Sequence, residues 1–234
     1  MAPVSEHRCR TVRTHPDAPL FIIGAHYDTV LGSPGADDNA SGVAVLLEIA
    51  RVIAAGTGDP PGRSLRLQFV AFTLEEENML GSAHYARGLA SRRVPLAGMV
   101  SLEMVGYKSD SPHLQQLPAG YEHLYPHVGN FIAVVGNQKS RTLVERFVAG
   151  LKTADGLPVE SLIVSQNGEA LPPTRLSDHS PFWDLDYPAL MITDTSWFRN
   201  PHYHQRSDTI GTLDPDFMTR VAEGMTSAIV SMVR

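Results

Sequence analysis

Short apolar runs alternate along the chain with segments whose apolar residues recur every three or four positions. Leu20–Tyr27 (LFIIGAHY) reads as a buried strand. Ser41–Ala55 places Val43, Leu46, Leu47, Ala50 and Ile53 on one helical face. Ser64–Leu74 starts with strand alternation and ends fully apolar; 81–91 predicts a helix and Leu96–Gly106 another strand. Strand character resumes over His127–Asn137, followed by a helix over 140–153 and a strand over 158–165. A short turn or helix at 178–185 precedes a strand at 187–195. The chain closes in a helix over 214–233, with Asp214 as its N-cap and Pro215 in the first position. This alternation predicts one α/β domain over residues 1–234, a mainly parallel central sheet with helices on both faces. Gly56–Arg63 is a loop. Lys108–Pro126 and Thr195–Asp208 are the longest irregular stretches, and loops of that length usually carry function.

Composition changes this picture little. The 234 residues are 43% hydrophobic and 19% charged, with a formal net charge of −6. That balance gives no footing for nucleic acid or an anionic membrane as partner, and mildly favours cations. A single cysteine, Cys9, leaves no intramolecular disulfide to mark an oxidising compartment. The first residues lack the apolar core of a signal peptide, and no segment approaches the apolar length of a membrane span. A cytoplasmic location follows, with the mature form of a longer secreted precursor left open. Nothing in the sequence speaks to oligomeric state.

The acids and histidines gather where an open parallel sheet builds its sites, past the carboxyl ends of the strands. The first strand runs out in GAHYD, where His26 and Asp28 share one side of an extended chain. A carboxylate so placed can orient a metal-binding imidazole. The second ends in TLEEEN, and a bound metal would give consecutive glutamates separate roles, one as ligand and one as general base. The third ends in SLEMVG, where Glu103 interrupts an apolar run. A buried carboxylate is costly alone, so either a basic side chain or a cation meets it. His202 and His204 lie on the loop after the last strand, and GADDN follows the first. Taken singly, each cluster is also an ordinary polar turn or solvated loop. Together they offer oxygen and imidazole donors without thiolates, a set suited to zinc, manganese or cobalt. Five ligands with one shared carboxylate would hold two metals roughly 3.5–4 Å apart.

The motifs GAHYDTV, PGADDNASGVAVLLEIAR, FVAFTLEEENMLGSAHYA, SLEMVGY, SDHSPF and HYHQRSDT, in that order from about Leu20 to Thr209, resemble metallopeptidase family 28, the co-catalytic zinc aminopeptidases. The resemblance implies a zinc-exopeptidase-like (phosphorylase/hydrolase-like) fold and two zinc ions. It assigns His26 and Glu103 to one zinc, Glu76 and His204 to the other, and Asp38 as the bridge. Glu103 stands where many members have Asp, so the longer side chain reaches further. Asp28 becomes the partner of His26, Glu75 the general base, and the Asp38–Asn39 peptide cis. His202 is then a neighbour rather than a ligand. Asp178 and His179 of SDHSPF are candidates to line the pocket, with a structural cap as the alternative. The 108–127 segment should shape the substrate pocket, with His113, His123 and His127 in reach of it or solvated. His7, Cys9 and His15 precede the resemblance, and the short N-terminus looks minimal or truncated for the family.

The activity this implies is hydrolysis of the peptide bond beside a free amino terminus, on a peptide or aminoacyl substrate. Three rivals share the fold. A glutaminyl-cyclase-like acyltransferase uses a single zinc, and the presence of His26 with Asp38 and Glu76 argues against it. A non-catalytic binding domain would have lost ligands that are all present here. A carboxypeptidase needs a basic residue in its pocket, for which Lys108, Arg175 and Arg199 are the candidates.

Overall fold

The computed structural model describes residues 18–56 and 65–233. His7, Cys9, His15 and nearly all of the Gly56–Arg63 loop lie outside the described residues. Six strands, β1 (Leu20–His26), β2 (Arg66–Phe72), β3 (Leu96–Glu103), β4 (Ile132–Asn137), β5 (Val159–Val164) and β6 (Ala189–Thr193), form one sheet in the order β2-β1-β3-β6-β4-β5. Five α-helices accompany them among the described residues, besides short 3₁₀ and π turns: α1 (Gly42–Gly56), α2 (Leu80–Ser91), α3 (Arg141–Leu151), the single turn α4 (Ser180–Trp183) and α5 (Pro215–Val233).

Strand alternation divides the core in two. Phe21, Ile23 and Ala25 of β1 face one side, with Val100, Leu102, Val134 and Ile192, and α1, α3 and α5 cover them. Leu20 and Ile22 face the other, with Val70, Phe72 and Met99, against α2 and α4. Every residue of β1 is buried, as expected for a strand covered on both faces. At the start of α5, the Asp214 carboxylate accepts a hydrogen bond from the Phe217 N–H at 2.9 Å, completing the predicted cap.

Three features depart from the expectation. First, β1, β2, β3 and β6 run parallel, but β4 pairs antiparallel with β6 and carries β5 with it. The amino ends of β4 and β5 therefore meet the carboxyl ends of the other four strands at one edge. Second, β4 begins at Ile132 rather than His127. The carbonyls of His127 and Gly129 accept from Gln115 and Ser109 instead, tying this stretch to the irregular segment rather than to the sheet. Third, the helical run Ala36–Gly56 is long and apolar enough to cross a membrane by length and composition. In this fold Val45, Leu46, Ile49 and Ile53 of that run pack into the core.

Helices α3 and α5 approach most closely at Gly150. A Cβ there would lie 2.4 Å from the Cβ of Ala228 and 2.5 Å from its Cα, so only a hydrogen fits. Gly88, inside α2, is the opposite case: its nearest neighbours would be Arg92 side-chain atoms at 3.7 Å. Gly150→Ala should lower the unfolding free energy by ~1–3 kcal/mol through overpacking. Gly88→Ala should raise it by up to ~1 kcal/mol, the ordinary gain from removing a helix-interior glycine. Urea unfolding of both variants checks this, and equal or greater stability for Gly150→Ala would refute the close contact.

Candidate metal centre

The carboxyl end of β1 delivers His26, which is fully buried. Its Nδ1 faces the backbone carbonyl oxygen of Asp28 at 3.1 Å, with the Asp28 carboxylate further off at 3.7 Å. The main chain of Asp28 therefore orients the ring. Its side chain keeps one oxygen toward the ring and uses the other elsewhere. Asp28 Oδ2 accepts from the Glu76 N–H at 3.2 Å and so ties the end of β1 to the loop after β2.

Asp38 is held by a set of long-range bonds. The Asp208 carboxylate accepts from the N–H groups of Asp37 (2.9 Å) and Asp38 (3.2 Å). Asn39 reaches across to the end of β3: its Nδ2 donates to the Leu102 carbonyl at 2.8 Å, and its Oδ1 accepts from the Met104 N–H at 3.0 Å. These two groups flank Glu103, so one amide side chain sets the spacing of Asp38 and Glu103. Ser41 and Asp37 extend the seam by accepting from the N–H groups of Val105 and Gly106. The seam leaves no room beside Gly42, where a Cβ would lie 2.4 Å from Asn39 Oδ1 and 2.9 Å from the Leu102 oxygen. The Asp38–Asn39 peptide is cis.

Two triads result, sharing Asp38: His26 with Asp38 and Glu103, and Asp38 with Glu76 and His204. His26 Nε2 stands 3.4 Å from Asp38 Oδ1 and 3.4 Å from Glu103 Oε2. His204 Nε2 stands 3.0 Å from Asp38 Oδ2 and 3.3 Å from Glu76 Oε2. Donors bound ~2.0–2.1 Å from one tetrahedral ion are ~3.3 Å apart, so the residues fit zinc-like coordination. Glu76 Oε1, Glu103 Oε2 and His204 Nε2 are also buried and make no aligned hydrogen bond among the described residues. Polar atoms in that condition call for another partner.

The protein's own field on these groups is strong. Burial pushes the Glu75 carboxyl up to about 9, and the charge of Glu103 adds to it. Burial and Asp38 push Glu76 up to about 7. At His26, burial opposes the charged form most strongly, yet Glu103 and Asp38 together outweigh it and raise its pKa well above 6.5. Asp38 likewise raises His204. At neutral pH the protein groups alone therefore hold several protons that a cation must displace.

The structure brings all five expected ligands together, with Glu75 beside them. Glu77 is exposed, and His202 turns to Ser207 at 3.0 Å. Asp178 and His179 are corrected as pocket residues: both are fully buried and neither lines the cavity. His179 caps the 172–175 turn, bonding the Thr174 carbonyl at 2.9 Å, and burial holds it down at about 3, hence neutral. His113, His123 and His127 are exposed on the long segment and do not line the cavity either. Their neighbours Leu117, Pro118, Tyr121 and Tyr125 do. Sequence reasoning missed Tyr203, whose ring stacks on His204 at 3.7 Å and lines the cavity. Its only signal was adjacency to a ligand.

The cavity, of about 300 Å³, opens from the triads. Its lining includes Asp38, Glu75, Glu76, Glu103 and Glu160 but, among the described residues, no lysine or arginine. The basic candidates are engaged elsewhere. Lys108 pairs with Asp110 and Arg175 with Asp184, while Arg199 is buried over the Phe131 ring and bonds Gln115.

Comparison with known proteins places the chain in a family. YfbL of Escherichia coli K12, an uncharacterized protein, is 39% identical over 226 residues, covering 89% of this chain and 66% of its own length. The aminopeptidase YwaD of Bacillus subtilis is 28% identical over 227 residues, covering 94% and 42%. The structure of BSAP, a zinc aminopeptidase from Bacillus subtilis, shares the fold with a TM-score of 0.71 at 23% identity, covering 96% of this chain and 49% of that one. The chain thus spans between about two fifths and two thirds of the length of these relatives. The family model of peptidase family M28 matches residues 10–229, nearly the whole chain, and the chain belongs to that family.

Proposed function

We propose that the protein is a two-zinc aminopeptidase that cleaves the peptide bond after a free amino terminus. The observation that carries this reading is the lack of a cationic side chain in the cavity wall. Five carboxylates line it and, among the described residues, no lysine or arginine does. Two zinc ions would offset the four acids at the triads, which leaves Glu160 to set the sign of the rest of the cavity; a substrate carboxyl terminus finds no cationic side chain among the described lining residues to receive it. That disfavours the carboxypeptidase reading, whose three candidate cations all point elsewhere. The second triad disfavours the single-zinc cyclase reading.

His26, Asp38 and Glu103 would hold one zinc, and Asp38, Glu76 and His204 the other. Zinc bound there supplies Lewis acidity, polarising the carbonyl and bringing the pKa of water toward ~7. Glu75 takes the proton from the attacking water as its oxygen bonds the carbonyl carbon. It then delivers that proton to the departing amide nitrogen as the C–N bond breaks, leaving an amino acid and a shortened peptide. Glu75 can accept a proton only as the carboxylate, and cationic charge beside it reverses the upward push of its neighbours. Tyr203 remains a hydroxyl donor, because burial and the charge of Asp38 raise its pKa further above 10. It faces the same acids and can donate to the oxygen of the scissile carbonyl.

Three measurements test this. Zinc-reconstituted protein should contain two ions per chain and hydrolyse aminoacyl chromogenic substrates in a chelator-sensitive way; silence across a broad panel would sink the reading. Zinc affinity should rise about tenfold or more per pH unit between pH 6 and 7, since binding must displace protons that His26, His204 and Glu76 still hold in that range. Calorimetry in buffers of different ionisation enthalpy reads this directly, and a flat pH profile contradicts it. Glu75→Gln should keep both ions and lose about 10²–10⁴-fold in kcat. Turnover near wild type in that variant would remove Glu75 as the base.

A further inference from the structure

We propose that Glu160 selects the amino-terminal residue of the substrate and that the preferred residue has a long cationic side chain, lysine or arginine. This deepens the aminopeptidase reading and rests on it. Three observations lead there.

The first is direction. Along β5, Val159 and Ile163 pack on one core, while Leu162 and Val164 pack on the other. Glu160 has the parity of Leu162 and Val164, and it lines the cavity. The cavity exists on this face because, among the described residues, no helix covers β4 and β5 there; the irregular segment with Tyr121 and Tyr125 closes over them instead. The main chain of Glu160 belongs to the β4–β5 ladder, and its carboxylate forms no hydrogen bond or ion pair with the described residues. A half-buried carboxylate at the end of a largely apolar cavity is thus left for a ligand.

The second is distance. Glu103 pairs in register with Thr193 of β6, Thr193 with Ala133 of β4, and Ala133 with Glu160. The metal-side carboxylate and Glu160 therefore sit in one row, three strand spacings or ~14 Å apart, on the same face. A substrate amino group bonded to the acidic cluster puts its Cα ~4 Å along that row. An extended lysine side chain adds ~6 Å. A charge-assisted N–O contact of ~3 Å then closes the span. Leucine stops several ångströms short.

The third is the path between. The rings of Tyr121 and Tyr125 are stacked, with centroids 6.4 Å apart and planes 21° apart. The Tyr125 hydroxyl donates to the Ser161 carbonyl at 2.9 Å, which fixes that ring beside Glu160. Aromatic faces suit both the methylene stem and the charged tip of a long basic side chain. The competing explanation for a charge on an edge strand is protection against edge-to-edge pairing. That role predicts no effect on substrate choice.

The test compares the p-nitroanilides of lysine, arginine, norleucine and leucine on zinc-loaded protein. Norleucine matches the lysine stem without the charge. In the wild type kcat/KM for lysine and arginine should exceed that for norleucine by about ten- to a hundredfold. In Glu160→Gln the ratio should fall to near one, and Glu160→Asp should keep part of it. Thermal melting and zinc content verify that the variants are folded and loaded. An unchanged lysine-to-norleucine ratio in Glu160→Gln overturns the proposal. Calorimetric titration with lysinamide and norleucinamide gives the same comparison without turnover. If the wild type hydrolyses none of the four substrates, the aminopeptidase reading is what fails. The calorimetry then still decides Glu160, since equal binding of the two amides in wild type overturns its role.

Discussion

Three backbone N–H groups, one carbonyl and two side chains decide whether this site exists. Asp208 captures the amides of Asp37 and Asp38, and Asn39 captures the amide of Met104 while donating to Leu102. These bonds join parts of the chain 63 to 171 positions apart. They lock the start of the first helix against the end of β3 and against the loop that carries His204. The candidate ligands come from different connections, so no single element can correct an error in another. Asp38 tolerates the least error, because its two oxygens face two different histidines. Gly42 and the hydroxyl of Ser41 belong to the same device: one permits the close approach, and the other extends it to Val105.

What this scaffold holds in place is electrostatically unfavourable by itself. Three glutamates and an aspartate are brought together at the edge of a low-dielectric core. Burial, added to their mutual charge, drives Glu75 and Glu76 upward, and the acids recruit protons onto both histidines. Asp178 lies near them, fully buried, and burial pushes it up to about 7. Rigid hydrogen bonds to the backbone prevent the cluster from relaxing outward, where water would relieve it. Divalent cations would relieve it in place. They would also convert Glu75 from a group that keeps its proton into one that can pass a proton on. The same charges thus favour both metal binding and the role proposed for Glu75.

Much of this was legible in the sequence. Strand–helix alternation located α1, α2, α3 and α5 to within a residue or two, and reading each strand's carboxyl end collected His26, Glu75, Glu76 and Glu103. Glu103 stood out because an apolar run does not take a carboxylate without cause. Other features were not legible, for physical reasons. The reversal of β4 depends on which edge of the sheet is free, and pairing direction leaves no mark in an apolar hexapeptide. Asp208, Asn39 and Ser41 are ordinary turn residues until their distant partners are known. His113, His123 and His127 drew attention by residue type, but exposure decided against them, and the tyrosines and Leu117 beside them shape the wall.

The reversal of β4 and β5 has a chemical result. Had they run parallel to the rest, their carboxyl ends would have met the edge that carries the two triads, and Ala133 and Glu160 would have lain at the opposite end of the sheet. Running antiparallel, they bring their amino ends to that edge, so Ala133 and Glu160 fall in line with Thr193 and Glu103. The sheet face there is left to tyrosines of an irregular segment rather than to a helix, which keeps it open as a cavity. Ala133 and Glu160 both line that cavity and lie side by side in the sheet. Topology, rather than any motif, thereby sets the distance between the two triads and the carboxylate of Glu160.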